Sequence, residues 1–310
     1  MRSHVFPKIS VIMPTYNRWN LLCEALESVF QQTYPHWEAV VVNDAGAPPP
    51  EPVAEMLRRR GVFFIEHPEN RGLAAARNTG LSRSTGEFVA YLDDDDVFYP
   101  DHLEVLVREM TTHGWDVAYA DAMRGTYETA EGKIRLLGRE PAYGKDFSRE
   151  DFWRSNYIPV LCVVHRRCCI EQAGNFDPLL PALEDWDLWL RMSSRYDFHH
   201  IPRVTSMFRV TTDGLNMTDR INRRIEPELK ARIYAKYIKD PAIVENREIR
   251  DCLMMGIYHL LWDSMPRFVG ERDRGPGSER IRSLFRFLPW RYKWKLMIRQ
   301  PWRMASYNLG

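Results

Sequence analysis

The chain opens with short apolar runs separated by segments whose apolar residues recur at helical spacing. Ile9-Ser-Val-Ile-Met13 stops at Pro14, Trp37 to Val42 stops at Asn43-Asp44, Val62 to Ile65 runs into Glu66, and Phe88 to Leu92 runs into acids. Runs this short and this apolar predict strands buried on both faces. Between the first two, Leu21, Leu22, Ala25, Leu26, Val29 and Phe30 predict a helix with Asn20 as its N-cap. Val53 to Arg59 and Leu73 to Leu81 predict two more. The order βαβαβαβ implies an α/β fold, a largely parallel sheet with helices on both faces.

Beyond Pro100 a further helix is expected to about His113. Val117 to Ala120 reads as a strand, and Tyr127 to Leu137, with Glu131-Gly132 in its middle, as a hairpin. Residues 141–156 are irregular apart from one short helix. Ile158 to Val164 is strand-like, Arg166 to Ala173 a short helix and Ala182 to Met192 a longer one. On the latter Leu183, Trp186 and Leu190 share a face, and Asp185 stands beside that face. Phe198 to Ile201 and Val204 to Val210 read as two final strands. After Thr218 the composition turns helical and basic, which divides the chain into an α/β domain, 1–218, and a helical extension, 219–310.

At 310 residues and 45% hydrophobic content, the chain suffices for one large domain with an appendage. A formal net charge of +1 gives no general pull toward nucleic acid, and no nucleic-acid partner is expected. The N-terminal residues lack the apolar region of a secretory signal and no apolar run reaches bilayer length, so a cytoplasmic location is expected. Cys23, Cys162, Cys168, Cys169 and Cys252 show no metal-ligand spacing and read as reduced thiols.

Three of the four N-terminal strand exits carry polar residues that a core does not need: Thr15-Tyr16-Asn17-Arg18, Asn43-Asp44 and Asp93 to Asp96. The exit after Ile65, Glu66 to Gly72, is a candidate fourth polar wall. Ligands of open α/β sheets lie beyond the carboxyl ends of the strands. Four successive carboxylates cannot all be buried and ionised without compensation. They form either a wet acidic turn or a cation site, and oxygen ligands at the Asp93-x-Asp95 spacing suit Mg²⁺ or Mn²⁺ carrying a phosphorylated substrate.

Five stretches in order and spacing resemble the motifs of family 2 glycosyltransferases with the GT-A nucleotide-sugar fold. They are Pro14-Thr-Tyr-Asn-Arg18, Val41-Val-Asn-Asp-Ala-Gly46, Asn70-Arg-Gly-Leu-Ala-Ala-Ala-Arg-Asn-Thr-Gly80, Gly86-Glu-Phe-Val-Ala-Tyr-Leu-Asp-Asp-Asp-Asp96 and Glu184-Asp-Trp-Asp-Leu-Trp-Leu-Arg191. The resemblance covers residues 8 to about 212 and implies a metal-dependent, inverting transfer from a nucleotide sugar. It makes 1–100 the nucleotide-binding half and 101–218 the acceptor-side half. By resemblance Pro14, Thr15, Tyr16 and Asn17 line the nucleoside, with Asp44 toward the base, where a carboxylate accepts from an imide N–H. Asn43 stands where the family often has an acid. Arg71 is expected near the base or a phosphate, and Arg77 against Asp93. Asp95 is the expected metal ligand, with Asp93 at the ribose or a metal-bound water, Asp94 adding to the negative field and Asp96 capping or supporting the turn. Glu184-Asp185 resembles the acceptor-side acid pair, with Asp185 as general base; apolar neighbours raise a carboxylate pKa toward a useful value. The cofactor implied is Mn²⁺ or Mg²⁺, the donor a UDP-sugar with dTDP-sugar second, and the acceptor a glycan or lipid-linked saccharide of a cell-surface polymer.

The resemblance fails at one place. Many members have Arg-x-His after the last strand; here Arg209 is kept, for a phosphate, but Thr211 stands in the histidine's position. His199 and His200 read as structural. Two other readings remain open from residues alone. A nucleotidyltransferase would want a basic glycine-rich phosphate loop near the first strand, which Pro14 to Arg18 does not offer; a non-catalytic nucleotide- or glycan-binding module would not need Asp95 and Asp185. Residues 280–304 interleave eight basic residues with aromatics, and no acid follows Glu279. That pattern suits either an anionic membrane surface, on the inner face of the cytoplasmic membrane, or a packed helical lid.

Overall fold

The computed structural model describes residues 7–130, 133–142, 144–212, 225–264 and 276–299. The described residues fall into two compact units, one within Met1–Phe147 and Tyr157–Asn216, the other within Ser148–Asn156 and Met217–Gly310.

The first unit is built on one nine-stranded sheet: β1 (Ile9–Thr15), β2 (Trp37–Asn43), β3 (Phe63–Glu66), β4 (Phe88–Tyr91), β5 (Val97–Phe98), β6 (Val117–Ala130), β7 (Lys133–Ala142), β8 (Val163–Arg166) and β9 (Phe198–Thr211). The order is β3-β2-β1-β4-β8-β6-β9-β5, with β7 paired to β6. The first four strands are parallel, β8 runs antiparallel to both its neighbours, and β6 and β9 are again parallel. Every residue of β1 is buried, as a strand covered on both faces requires. The helices of this unit are α1 (Trp19–Phe30), α2 (Glu51–Arg59), α3 (Leu73–Arg83), α4 (His102–His113), α6 (Arg167–Ala173) and α7 (Glu184–Ser193). Gly80 lets α3 lie close on β1: a Cβ there would sit 2.5 Å from Ile12 Cγ2. The small Ala74, Ala75 and Ala76 are buried along the same helix.

Several local expectations change. Asn20 lies inside α1, and the N-cap position falls to Arg18, whose side chain makes no capping bond. Ile158 to Val164 splits into a 3-10 turn, Val160–Cys162, and β8. The two final strands are one, β9; its pairing with β6 shifts register where Pro202 and Arg203 intervene, a bulge that spares the proline a ladder bond. All five cysteines are free.

The second unit is helical: α5 (Arg149–Arg154), α8 (Glu226–Tyr237), α9 (Pro241–Val244), α10 (Arg247–Ser264), α11 (Pro276–Ser283) and α12 (Trp290–Arg299). Residues 148–156 thus pack with the extension. The Trp153 carbonyl accepts from Tyr234 Oη at 2.5 Å, Arg149 pairs with Glu248 at 2.6 Å, and a Cβ on Gly256 would meet the Trp153 carbonyl at 2.6 Å. On α12 Tyr292 and Leu296 are buried while Trp290 and Trp294 are 65% and 54% exposed. Among the described residues no helix is long and apolar enough to cross a membrane.

Candidate active site

The sheet order places β2, β1 and β4 side by side and parallel, so their carboxyl ends share one edge. Three polar exits far apart in sequence therefore meet, and two arginines act among them: Arg18 ties the exit of β1 to the acidic turn after β4, and Arg77 ties that turn to α7.

Arg18 is the first. Its Nη2 lies 2.5 Å from Asp94 Oδ1, its Nε donates to Asp94 Oδ2 at 3.2 Å, and its Nη1 donates to Asp95 Oδ2 at 2.7 Å. Thr15 Oγ1 also donates to Asp94 Oδ2, at 2.7 Å. Asp94 is fully buried, so the residue expected only to add to the negative field is a buried anchor for Thr15 and Arg18. Burial pushes its carboxyl up to about 7, against the opposing pull of Arg18. Burial also raises Asp95 against Arg18, and burial with Asp95 and Asp93 raises Asp96. Asp96 Oδ1 accepts from the Arg209 backbone N–H at 3.1 Å.

Arg77 is the second. It is 1% exposed, donates from Nη2 to Asp93 Oδ1 at 2.6 Å and from Nη1 to Glu184 Oε1 at 2.5 Å, and stacks over Phe176 at 5.5 Å. Burial opposes its charge, but Asp93, Glu184 and Asp185 more than offset this and hold it protonated. The expected Arg77–Asp93 contact is present. The bond to Glu184 was not foreseen, and it ties the acidic turn after β4 to the start of α7. Neighbouring contacts hold α7 in place. Asn78 Nδ2 donates to the Phe176 carbonyl at 2.9 Å and its Oδ1 accepts from the Phe176 N–H at 3.0 Å. Arg191 bonds Asp187 on its own helix and the carbonyls of Ala173 and Asn175. Leu183, at φ 60°, turns the chain into α7, and Glu184, Asp185 and Asp187 occupy its first turn, where the helix dipole favours them. Asp185 Oδ1 accepts from the Trp186 N–H at 2.7 Å.

Asp44 organises the exit of β3. Its Oδ1 accepts from the Arg71 N–H at 2.9 Å, its Oδ2 from the Gly72 N–H at 2.8 Å, and His67 Nδ1 lies 2.7 Å from Oδ1. His67 Nε2 faces Thr79 Oγ1 at 2.8 Å. The carboxylate expected at a base is thus directed to the 67–72 loop, and Arg71 contributes its backbone while its side chain is exposed. Asn43 explains itself: its Nδ2 donates to the Gly46 and Ala47 carbonyls and to Glu66 Oε1, donations an acid could not make. Pro14 is buried in β1, Tyr16 is 49% exposed, and Asn17, at φ 59°, accepts from the Ala47 N–H at 2.6 Å. Arg209, expected at a phosphate, pairs with Glu24 at 2.7 Å and lies over the Tyr127 ring at 5.1 Å; Thr211 sits on β9 opposite Tyr127. His200 bridges Asp121 at 2.6 Å and Asp146 at 2.7 Å, and His199 stacks on Trp115 at 4.3 Å.

Sequence reasoning gave Arg18 and His67 no role. The available signal for Arg18 was a cation at one exit of a sheet whose other exit is acidic. For a metal, the donor chemistry is hard carboxylate oxygen. Asp93 and Asp95 keep 24% and 28% of their side chains exposed, whereas Asp94 and Asp96 are buried. Among the described residues no group of three or more acid, histidine or cysteine ligands is assembled for an ion. Mg²⁺ and its like are commonly held by one or two carboxylates, with water and substrate phosphates filling the rest, and this pair fits that pattern.

Residues 10–170 match the family described as Glycosyl transferase family 2, and the chain belongs to it. It is 29% identical over 272 residues to YwdF, an uncharacterized glycosyltransferase of Bacillus subtilis (strain 168), covering 84% of this chain and 97% of that one. Solved structures share the fold at low identity. S. aureus TarS 1-349 in complex with UDP-GlcNAc superposes with a TM-score of 0.72 at 17% identity, over 92% of this chain and 82% of that one. The mannosyltransferase PcManGT from Pyrobaculum calidifontis, in complex with GDP-Man and Mn2+, gives 0.58 at 19%, over 97% and 84%.

Proposed function

We propose that this glycosyltransferase inverts the anomeric carbon, moving a sugar from a UDP-sugar to a hydroxyl of a glycan or lipid-linked acceptor. The observation that carries this reading is the buried Arg77, which holds Asp93 of the donor-side turn and Glu184 of the acceptor-side pair on one guanidinium. In the step, the acceptor oxygen attacks the anomeric carbon and the bond from that carbon to the diphosphate oxygen breaks. The electron pair leaves with the nucleoside diphosphate, and Asp185 takes the hydroxyl proton. Arg77 fixes Glu184, and with it the first turn that presents Asp185. Asp95 and Asp93 would hold Mg²⁺ or Mn²⁺, which supplies Lewis-acid stabilisation of the leaving diphosphate. Asp44 shapes the wall of the base pocket through the 67–72 loop. UDP as the nucleotide is supported by the fold shared with TarS, whose structure contains UDP-GlcNAc; the GDP-Man in PcManGT makes GDP the competitor to exclude.

Calorimetry of UDP, dTDP, GDP and ADP with Mn²⁺ tests the donor: UDP should bind most tightly, and tighter binding of GDP or ADP would overturn it. Asp185→Asn should lose roughly 10² to 10⁴ in transfer rate with donor affinity retained; near wild-type transfer would remove Asp185 from the base role. We infer further that the acceptor is met at an anionic bilayer. Phe287, Trp290 and Trp294 are exposed beside the exposed Arg286 and Arg291, a pattern that partitions into a lipid interface.

A further inference from the structure

The structure assigns to Arg18 the role of a built-in cation that occupies the acidic turn in the absence of donor and hands Asp95 over to a divalent ion. The inference rests on the reading of Asp95 as a metal ligand. Two of the three guanidinium nitrogens, Nε and Nη2, meet Asp94, and only Nη1 reaches Asp95. Asp94 is fully buried and is also held by the Thr15 hydroxyl, so that end of the contact is an anchor. Asp95 is 28% exposed and Arg18 46% exposed, so the other end opens to solvent. Arg18 can therefore release Asp95 without leaving Asp94. Arg77 has no such freedom: its side chain is 2% exposed and both of its contacts are to acids of the site.

Two cations on one carboxylate repel, so an ion at Asp95 and Nη1 at Asp95 weaken each other. The released N–H is then available to a phosphate oxygen of the incoming donor, a charge-assisted bond. Two consequences follow. The free enzyme should bind a divalent ion weakly, because the ion displaces a bond already made. Nucleoside diphosphate should bring the ion and capture Nη1 together, so metal and nucleotide should bind with positive coupling.

The test uses the full chain and Mn²⁺, followed by the loss of the free-ion signal in electron paramagnetic resonance, without nucleotide. Arg18→Gln should tighten Mn²⁺ alone by roughly 5- to 10-fold, the order expected for one charge removed at a partly hydrated site. It should weaken UDP measured without metal by a similar factor. Arg18→Lys should fall between, because an ammonium cannot hold Asp94 twice and still reach Asp95. Arg18→Gln leaves Asp94 buried without its partner, so Arg18→Gln/Asp94→Asn is compared with Asp94→Asn alone; the same tightening should appear there. Mn²⁺ affinity unchanged within about twofold in both backgrounds would overturn the inference. Asp95→Asn separates the two readings. If wild type binds Mn²⁺ with UDP no better than Asp95→Asn does, the metal reading itself fails; if Asp95→Asn loses that binding while Arg18→Gln changes nothing, only the role of Arg18 fails.

Discussion

Replacing Arg77 by Met removes the one charge that Asp93 and Glu184 share. Arg77 and Glu184 are 1% and 5% exposed, so water cannot take over the lost bond to Glu184, although Asp93, with 24% of its side chain exposed, can be rehydrated. Removing one partner of a buried ion pair typically costs about 3–5 kcal/mol, because the remaining charge is stranded. For a unit of this size each kcal/mol lowers Tm by about 2–4 °C, which gives a fall of roughly 6–20 °C. The assay is thermal unfolding of wild type, Arg77→Met, Glu184→Gln and the double variant. Glu184→Gln alone also breaks the pair, but together the two changes leave less stranded charge. The double variant should therefore be more stable than the sum of singles by about 0.5–3 kcal/mol. Arg77→Lys should recover less than half the loss, since one ammonium cannot replace two nitrogens at 2.5 and 2.6 Å from acids 91 residues apart. A loss below about 1 kcal/mol in Arg77→Met, or strict additivity in the cycle, would refute the idea that this guanidinium joins the two sides of the site.

Gly80→Ala should destabilise by about 1–3 kcal/mol, because its methyl would lie 2.5 Å from Ile12 Cγ2 between α3 and β1; a neutral result in urea unfolding would mean the helix shifts freely. Glu38 accepts from Ser10, Thr85 and Gly86 and pairs with Lys8; burial opposes its charge, yet Lys8, Ser10 and Thr85 prevail and hold it down at about 2. A depressed folded-state pKa means stability that is present above about 4.5 and lost as pH falls toward 2, so Glu38→Gln should flatten the stability curve in that window, and an unchanged slope would count against it. Full-length protein should sediment with phosphatidylserine vesicles at low salt and dissociate as salt rises, and Trp290→Ser/Trp294→Ser should sediment less while keeping its melting temperature. Failure of the full-length protein to sediment, or equal sedimentation of the variant, would exclude α12 as the lipid contact.

Much of this enzyme follows from local sequence pattern. Hydrophobic period is a property of neighbouring residues, so the first four strands, the helices between them and the acids after β4 were legible without a structure. That β3 lies at the sheet edge, with Phe63 exposed rather than buried on both faces, was not. The family motifs were legible for the same reason, each lying within one strand–turn–helix segment. Partners distant in sequence were not. That Arg18 meets Asp94 and Asp95 depends on β1 lying beside β4, and that Arg77 meets Glu184 depends on α7 returning 107 residues later to the same edge. A run of four aspartates looks uniform in sequence, yet burial separates it into the anchors Asp94 and Asp96 and the reachable Asp93 and Asp95. The sequence likewise gave no reason to move 148–156 into the helical unit, because the contacts of Trp153 with Tyr234 and Gly256 form only once α8 and α10 are packed. Patterning determines which segments are strand, helix and acidic turn; only packing decides which charges neutralise one another, because desolvation is set by neighbours in space.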